Sequence, residues 1–92
     1  MSRAIHHNVA EQRFEWTEDG VLSVLDYQLQ HGVMTIMHTG VPEAVGGRGI
    51  AADMTKVALE VARDQSWKVR PLCSYAAAYI RRNPGYEDLV VS

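Results

Sequence analysis

The chain contains a single cysteine, Cys73, so no disulfide bond can form within it. No hydrophobic run approaches the roughly 20 residues that span a membrane, and residues 1–7 lack the apolar core of a signal peptide. Internal repeats, low-complexity tracts and linkers are also missing. These absences favour a reduced, cytoplasmic setting and no membrane partner.

An excess of basic charge is missing too. The formal net charge is −2, and aromatic residues are not interleaved with Lys and Arg. Proteins that bind nucleic acids neutralise phosphates with clustered basic residues, so no nucleic-acid partner is expected. The adjacent His6 and His7 have no third ligand at the spacing of a metal site, so no metal is predicted.

The composition that remains is that of a globular protein, with 47% hydrophobic and 22% charged residues in a chain of 92. A chain of this length forms one modest core, and we predict a single domain over residues 1–92. The alternating patterns of residues 5–17, 21–29 and 33–39 predict three antiparallel strands, with a bulge or break at residues 10–11. Short turn signals that contain glycine separate the three segments.

The second half of the chain changes to a helical period. Residues 49–65 carry apolar side chains on one face and charged side chains on the other. A strand over residues 67–73 and a helix over 74–82 follow, with Ser74 as the predicted N-cap. A strand, helix and strand of these lengths imply a right-handed crossover with parallel pairing. The predicted class is α+β, with a mixed sheet and the order β-β-β-α-β-α.

The most informative stretch is the glycine-rich loop before the first helix. Gly46, Gly47 and Gly49 surround Arg48 where that helix must begin. Glycine permits positive φ and close approach of a ligand to the backbone, and a helix N-terminus offers unpaired N–H groups and partial positive charge. The loop therefore predicts a phosphate cradle, to which Arg48 adds charge-assisted hydrogen bonds. The motifs of P-loop and dinucleotide-binding folds are absent.

The loop resembles the pyrophosphate loop of the GNAT superfamily of N-acetyltransferases. The rest of the chain is similar to the short YjdJ-type N-acetyltransferase domains, and the likeness covers about residues 9–90. The segments that carry it, besides the first helix, are residues 38–43, 46–51, 69–73, 76–84 and 86–90. Five segments in the same order within so short a chain point to the family much more strongly than the loop does alone.

The resemblance implies an enzyme, an N-acetyltransferase that uses acetyl-CoA as co-substrate. It implies splayed strands that form an acetyl-CoA cleft, and an amine of a small molecule or a protein as the acceptor. We expect a monomer or a weak homodimer. Arg82, at the end of the last helix, is a further candidate contact to phosphate. The predicted coenzyme contacts are His38, Thr39, Val41, Gly46, Gly47, Arg48, Gly49, Ile50, Ala51, Ala52 and Arg82.

Two positions depart from the family loop. Gly46 stands where Arg or Gln is frequent, which removes one phosphate contact. Asp53 lies one turn into the helix and places a carboxylate near the expected phosphate. We therefore expect weaker coenzyme binding. The alternative function is a non-catalytic module that binds CoA or acyl-CoA.

Acetyl transfer needs a neutral amine, a stabilised oxyanion and a proton for the leaving thiolate. Cys73 is a candidate nucleophile because a helix N-terminus lowers the pKa of a thiol; the alternatives are a substrate contact or a small buried residue. His38 and Glu43 are candidate bases. Alternatively, His38 is an ordinary residue of the sheet face, and Glu43 is a charged side chain exposed to solvent. Following the wider superfamily, Tyr79 is the candidate acid, with Tyr75 as a second candidate; the alternative for Tyr79 is a residue of the core or of the cleft wall.

Overall fold

A computed structural model describes residues 3–91 of the chain. It confirms the α+β class and the mixed sheet. The elements are β1 (His6–Asn8), β2 (Arg13–Glu18), β3 (Val21–Gln30), β4 (Val33–Gly40), a 3₁₀ turn (Glu43–Val45), α1 (Ile50–Asp64), β5 (Lys68–Pro71), α2 (Ser74–Arg82) and a second 3₁₀ segment (Pro84–Leu89).

The five strands form one sheet in the order β1-β2-β3-β4-β5. The first four strands pair antiparallel, and β5 pairs parallel with β4 after α1 crosses over the sheet. Both predicted turns are confirmed, since Asp19 and Gly20 in one and His31 and Gly32 in the other have positive φ. Two consecutive residues with positive φ match the right-handed twist of a hairpin.

The number of antiparallel strands was wrong in the sequence analysis, which predicted three where the structure has four. The first segment breaks into β1 and β2 at a turn in which Gln12 has φ 52°. β1 has three residues, and His7 secures it by stacking on Phe14 with 4.2 Å between ring centroids and by placing Nε2 2.5 Å from the Tyr27 hydroxyl. A strand of three residues is too short to show an alternating pattern in the sequence. Tertiary contacts, which the local sequence does not reveal, hold β1 in place.

The core lies between one face of the sheet and the two helices. Most of the predicted apolar stripe of α1 is fully buried, and only Val57 and Val61 are half-buried at its margin. α2 adds its own apolar face beside α1. The buried hydrophobic side chains are Phe14, Leu25, Tyr27, Met34, Ile36, Val45, Ile50, Met54, Ala58, Leu59, Ala62, Val69, Ala76, Ile80 and Leu89.

Two leucines on opposite faces of β3 test this assignment of the core. Leu25 is fully buried, whereas Leu22 is 45% exposed. We expect Leu25→Ala to lower the free energy of unfolding by about 2–5 kcal/mol, because it removes buried methyl groups and leaves a cavity. Leu22→Ala should change it by less than about 0.5 kcal/mol. Urea unfolding followed by circular dichroism measures both, and equal losses would contradict the facing of β3.

A β-bulge changes the facing of side chains near the end of β4. Tyr27 pairs with Ile36, but the next pair joins Asp26 to His38, so Met37 is an extra residue in β4. A bulge of this kind reverses the alternation of faces along its strand. Residues of β4 beyond the bulge therefore face the opposite side from the one that uninterrupted alternation would give.

β4 and β5 separate just beyond their short parallel ladder. Their pairs run from Val33 with Lys68 to Ile36 with Pro71. β4 then continues to Gly40, while the chain after β5 turns into α2. The predicted opening between these two strands is therefore present.

α2 spans its predicted residues, but its N-cap is Cys73 and not Ser74. The preceding strand is shorter than predicted, because Leu72 and Cys73 already bend back so that both of their N–H groups donate to the Ile36 carbonyl. Among residues 3–91, no helix combines the length and the apolar character that crossing a membrane requires.

Candidate functional site

The glycine loop joins the end of β4 to the start of α1. After the short turn Glu43–Val45, the chain passes through Gly47 with φ 75° and Gly49 with φ 81°. Residues with a Cβ are strained at such angles. Gly49 is the N-cap of α1 and has no side chain to cap the helix, so the first N–H groups of α1 are not covered by the residue before them.

Six consecutive backbone N–H groups at this loop make no hydrogen bond within the described part of the chain. On one side, the Gly46 N–H donates to the Glu43 carbonyl at 3.0 Å; on the other, the Asp53 N–H donates to the Gly49 carbonyl at 3.0 Å. Between them, the N–H groups of residues 47–52 have no acceptor in the described part of the chain. The partial positive charge of the N-terminus of α1 adds to this row of donors.

The loop glycines and the first three residues of α1, but not Arg48, line an open groove of about 280 Å³. The loop glycines themselves are exposed. Seven of the predicted coenzyme contacts lie together here, with Tyr75 of α2 as the eighth residue. The lining residues are Val41, Gly46, Gly47, Gly49, Ile50, Ala51, Ala52 and Tyr75.

Arg48 turns away from the groove and toward the β2–β3 turn. Its Nη1 donates to Glu18 Oε2 and to Asp19 Oδ2, both at 2.8 Å. Asp53, which was expected to oppose a phosphate, is ion-paired with Arg3. That pairing offsets part of the negative charge at the first turn of α1. The predicted contact between Arg48 and phosphate stays a prediction.

Cys73 lies where β4 and β5 separate. Its N–H donates to the Ile36 carbonyl at 3.0 Å, and its thiol donates to Thr39 Oγ1 at 3.5 Å. Burial raises the pKa of this thiol, but hydrogen bonding with Thr39 and with the N–H groups of Ala76 and Tyr75 outweighs burial, so the pKa lies below its ordinary value. A lower pKa increases the fraction of nucleophilic thiolate at neutral pH.

The bulge in β4 decides that Thr39, and not His38, faces the helices. Thr39 pairs with the buried Leu25 and therefore faces the helices, where it reaches Cys73. His38 pairs with Asp26, is exposed and faces the other side of the sheet. The structure therefore brings Thr39, and not the predicted base His38, to the thiol of Cys73.

The two candidate tyrosines of α2 lie in different surroundings. Tyr75 lines the groove, whereas Tyr79 packs beside Tyr86 with 6.3 Å between ring centroids. Burial raises the pKa of the Tyr79 hydroxyl. Arg82 lies at the far end of α2, in a separate groove with Glu60. Neither Tyr79 nor Arg82 is among the residues that line the groove at the glycine loop.

The groove at the glycine loop and the thiol of Cys73 are the two features with chemical potential in this region. Thr39 lies two residues before Val41, and Cys73 lies two residues before Tyr75, so the thiol is near the groove along both chain segments but does not line it. Free N–H groups at a helix N-terminus bind phosphate, and a thiol with a lowered pKa attacks acyl groups. Sequence reasoning ranked Tyr79 above Tyr75, because the local pattern of α2 does not show which tyrosine reaches the loop.

Comparisons with known proteins agree on one family. The family model described as GCN5-related N-acetyl-transferase matches residues 13–89. The solution structure of a GCN5-like candidate N-acetyltransferase from Staphylococcus aureus is similar over 96% of this chain and 87% of its own, with a TM-score of 0.75 and 26% identity.

Curated relatives are similar over a shorter stretch. The proteins named NATD1 from Gallus gallus and Mus musculus are each 36% identical to this chain over 52 residues. This stretch covers 56% of this chain and 47% of each relative. Protein NATD1 of Homo sapiens has the same identity over 46% of its length. The chain spans about half the length of these curated relatives.

Proposed function

Because the chain belongs to the GCN5-related N-acetyltransferase family, we propose that it binds acetyl-CoA and transfers the acetyl group to an amine. The observation that carries this proposal is the row of six N–H groups, residues 47–52, which face no acceptor within the described part of the chain. A diphosphate needs several donors that converge without obstruction, and a glycine loop at a helix N-terminus supplies them.

The position of the groove suggests the path that the rest of the coenzyme takes across the protein. With the diphosphate at the loop, the pantetheine arm runs past Val41 and Tyr75 toward the opening between β4 and β5. Residues 37–40 of β4 extend beyond the last pair with β5, so this strand edge is available to the amides of the arm. The thioester then lies beside Thr39 and Cys73.

Cys73 carries the chemistry in this proposal. Its thiolate attacks the acetyl carbonyl, a new C–S bond forms, and the C–S bond to the coenzyme breaks. Tyr75, which lines the groove, donates a proton to the departing thiolate. The acceptor amine then attacks the acetylated cysteine and displaces the thiolate of Cys73, and the proton that it loses returns, directly or through solvent, to the Tyr75 phenolate.

The proposed acceptor is a primary amine, free or on a protein. Glu43 and His38 stay candidates for the base that neutralises this amine, and both are exposed. His38 lies on the face of the sheet opposite to the thiol, so it would act only on an acceptor that approaches from that side. The chain working as a monomer or weak homodimer also stays a prediction.

A titration of ¹⁵N-labelled protein with coenzyme A tests the proposed site. We expect the largest chemical-shift changes at the amides of residues 47–52, because hydrogen bonds to a charged ligand alter those N–H groups directly. Smaller changes should follow at Val41, Tyr75 and Cys73. Shifts confined to the separate groove around Arg82, or no saturable shifts, would contradict the proposal.

A further inference from the structure

A network of charged side chains lies behind the glycine loop, on the side away from the groove. Besides the two carboxylates bound to Nη1 of Arg48, the Arg48 carbonyl accepts a hydrogen bond from Arg3 Nη2 at 2.7 Å. Arg3 also pairs with Asp53 in the first turn of α1. The loop is therefore tied through the side chain and the backbone of the same residue, Arg48.

Glu18, the last residue of β2, is the centre of this network. Its carboxylate accepts from Arg48 Nη1 at 2.8 Å, from Trp16 Nε1 at 3.0 Å and from Arg3 Nε at 3.3 Å. Hydrogen bonds from Arg48, Trp16 and Arg3 lower the pKa of Glu18 to about 2 despite partial desolvation. The Glu18 side chain is 21% exposed, whereas that of Asp19, the other partner of Arg48, is 70% exposed.

The loop has little else to keep it in place. A Cβ added at Gly47 or Gly49 would meet nothing within 4 Å, so each residue has open space on that side. Among the described residues, Gly46 and Gly49 each make a backbone–backbone hydrogen bond, with Glu43 and Asp53 respectively, but Gly47 and Arg48 make none. Gly47 and Arg48 are therefore held chiefly by the bonds that Arg48 makes with the network.

We infer that Glu18 is a positioning residue for the phosphate-binding loop: it draws Arg48 back and so holds the N–H groups of residues 47–49 in place beside those of the first turn of α1. This inference rests on the proposed function. Glu18 does not touch the ligand. Its effect on binding comes from pre-organisation, since a loop that is already ordered loses less conformational freedom when the ligand arrives.

Glu18→Gln and Asp19→Asn form a matched pair for the test. Each variant removes one negative charge beside Arg48, so a purely electrostatic role predicts tighter binding of the anionic coenzyme in both. Positioning predicts the opposite for Glu18→Gln, a Kd for coenzyme A that rises about tenfold or more, and little change for Asp19→Asn. Isothermal titration calorimetry with coenzyme A measures both values.

Backbone order parameters of the free protein provide a readout that needs no ligand. In Glu18→Gln, the S² values of residues 47–49 should fall from about 0.85 toward 0.6 or below, while those of residues 50–52 in α1 stay high; Asp19→Asn should keep all of them high. Arg48→Gln, which releases the other end of the same bond, should also lower the values of residues 47–49. The double variant Glu18→Gln, Arg48→Gln should be no less ordered than Arg48→Gln alone.

Unchanged or tighter binding by Glu18→Gln, together with an ordered loop, would overturn the inference. If the wild-type protein does not bind coenzyme A, the proposed function fails instead, and the order parameters still decide whether Glu18 holds the loop. If Glu18→Gln does not fold, Arg48→Gln provides the deciding measurement of loop order.

Discussion

Gly49→Val is expected to abolish measurable binding of coenzyme A while the protein stays folded. Gly49 has φ 81°, a conformation that costs a residue with a Cβ about 1–2 kcal/mol and is particularly unfavourable for a β-branched side chain. The backbone relieves that strain by rotating, which turns the adjacent N–H groups away from their common target. Each hydrogen bond to a charged group contributes about 1.5–3 kcal/mol, so the loss of two weakens binding by roughly 100-fold or more.

Gly32→Val is the matched control for this variant. Gly32 has φ 76°, and like Gly49 it has nothing within 4 Å of an added Cβ, but it lies in the β3–β4 turn away from the groove. Both variants should lose similar stability in thermal unfolding. Only Gly49→Val should lose coenzyme binding by calorimetry, and equal affinity in the two variants would contradict the diphosphate site.

The second large effect is expected at the thiol. After incubation with acetyl-CoA alone, wild-type protein should carry one acetyl group, and Cys73→Ser should carry none, because a serine hydroxyl is far less nucleophilic than a thiolate at neutral pH. Radiolabelled acetyl-CoA or intact-protein mass spectrometry detects the label. Cys73 is the only cysteine of the chain, so an acetyl thioester has a single place to form.

Ser74→Ala is the control for the acetyl label, since Ser74 is the exposed neighbour at the start of α2 and should be labelled like the wild type. A label that persists in Cys73→Ser would contradict the covalent route. Release of coenzyme thiol with an amine but without any labelled protein would favour direct transfer. Neither label nor thiol release with varied amines would favour the binding module over the enzyme.

Features with local causes were the ones that sequence could predict. The stripe of α1, the glycine loop and the two hairpin turns depend on residues within a few positions of each other, because helical period and positive φ are local properties. α2 was bounded correctly for the same reason. β1 was missed because a strand of three residues depends on His7 stacking against Phe14.

The site was only partly predictable, because several of its contacts join residues far apart in the chain. The sequence determined by itself that a glycine loop opens a helix and that one thiol precedes another helix. Only the tertiary structure decided that Arg48 meets carboxylates 29 and 30 residues away, and that Tyr75 lies in the groove. It also decided that one bulged residue in β4 sends Thr39, and not His38, toward the thiol. Such contacts depend on the register of the strands and on the crossover of α1 between β4 and β5. Side chains throughout the fold set both features together, so no short segment encodes them.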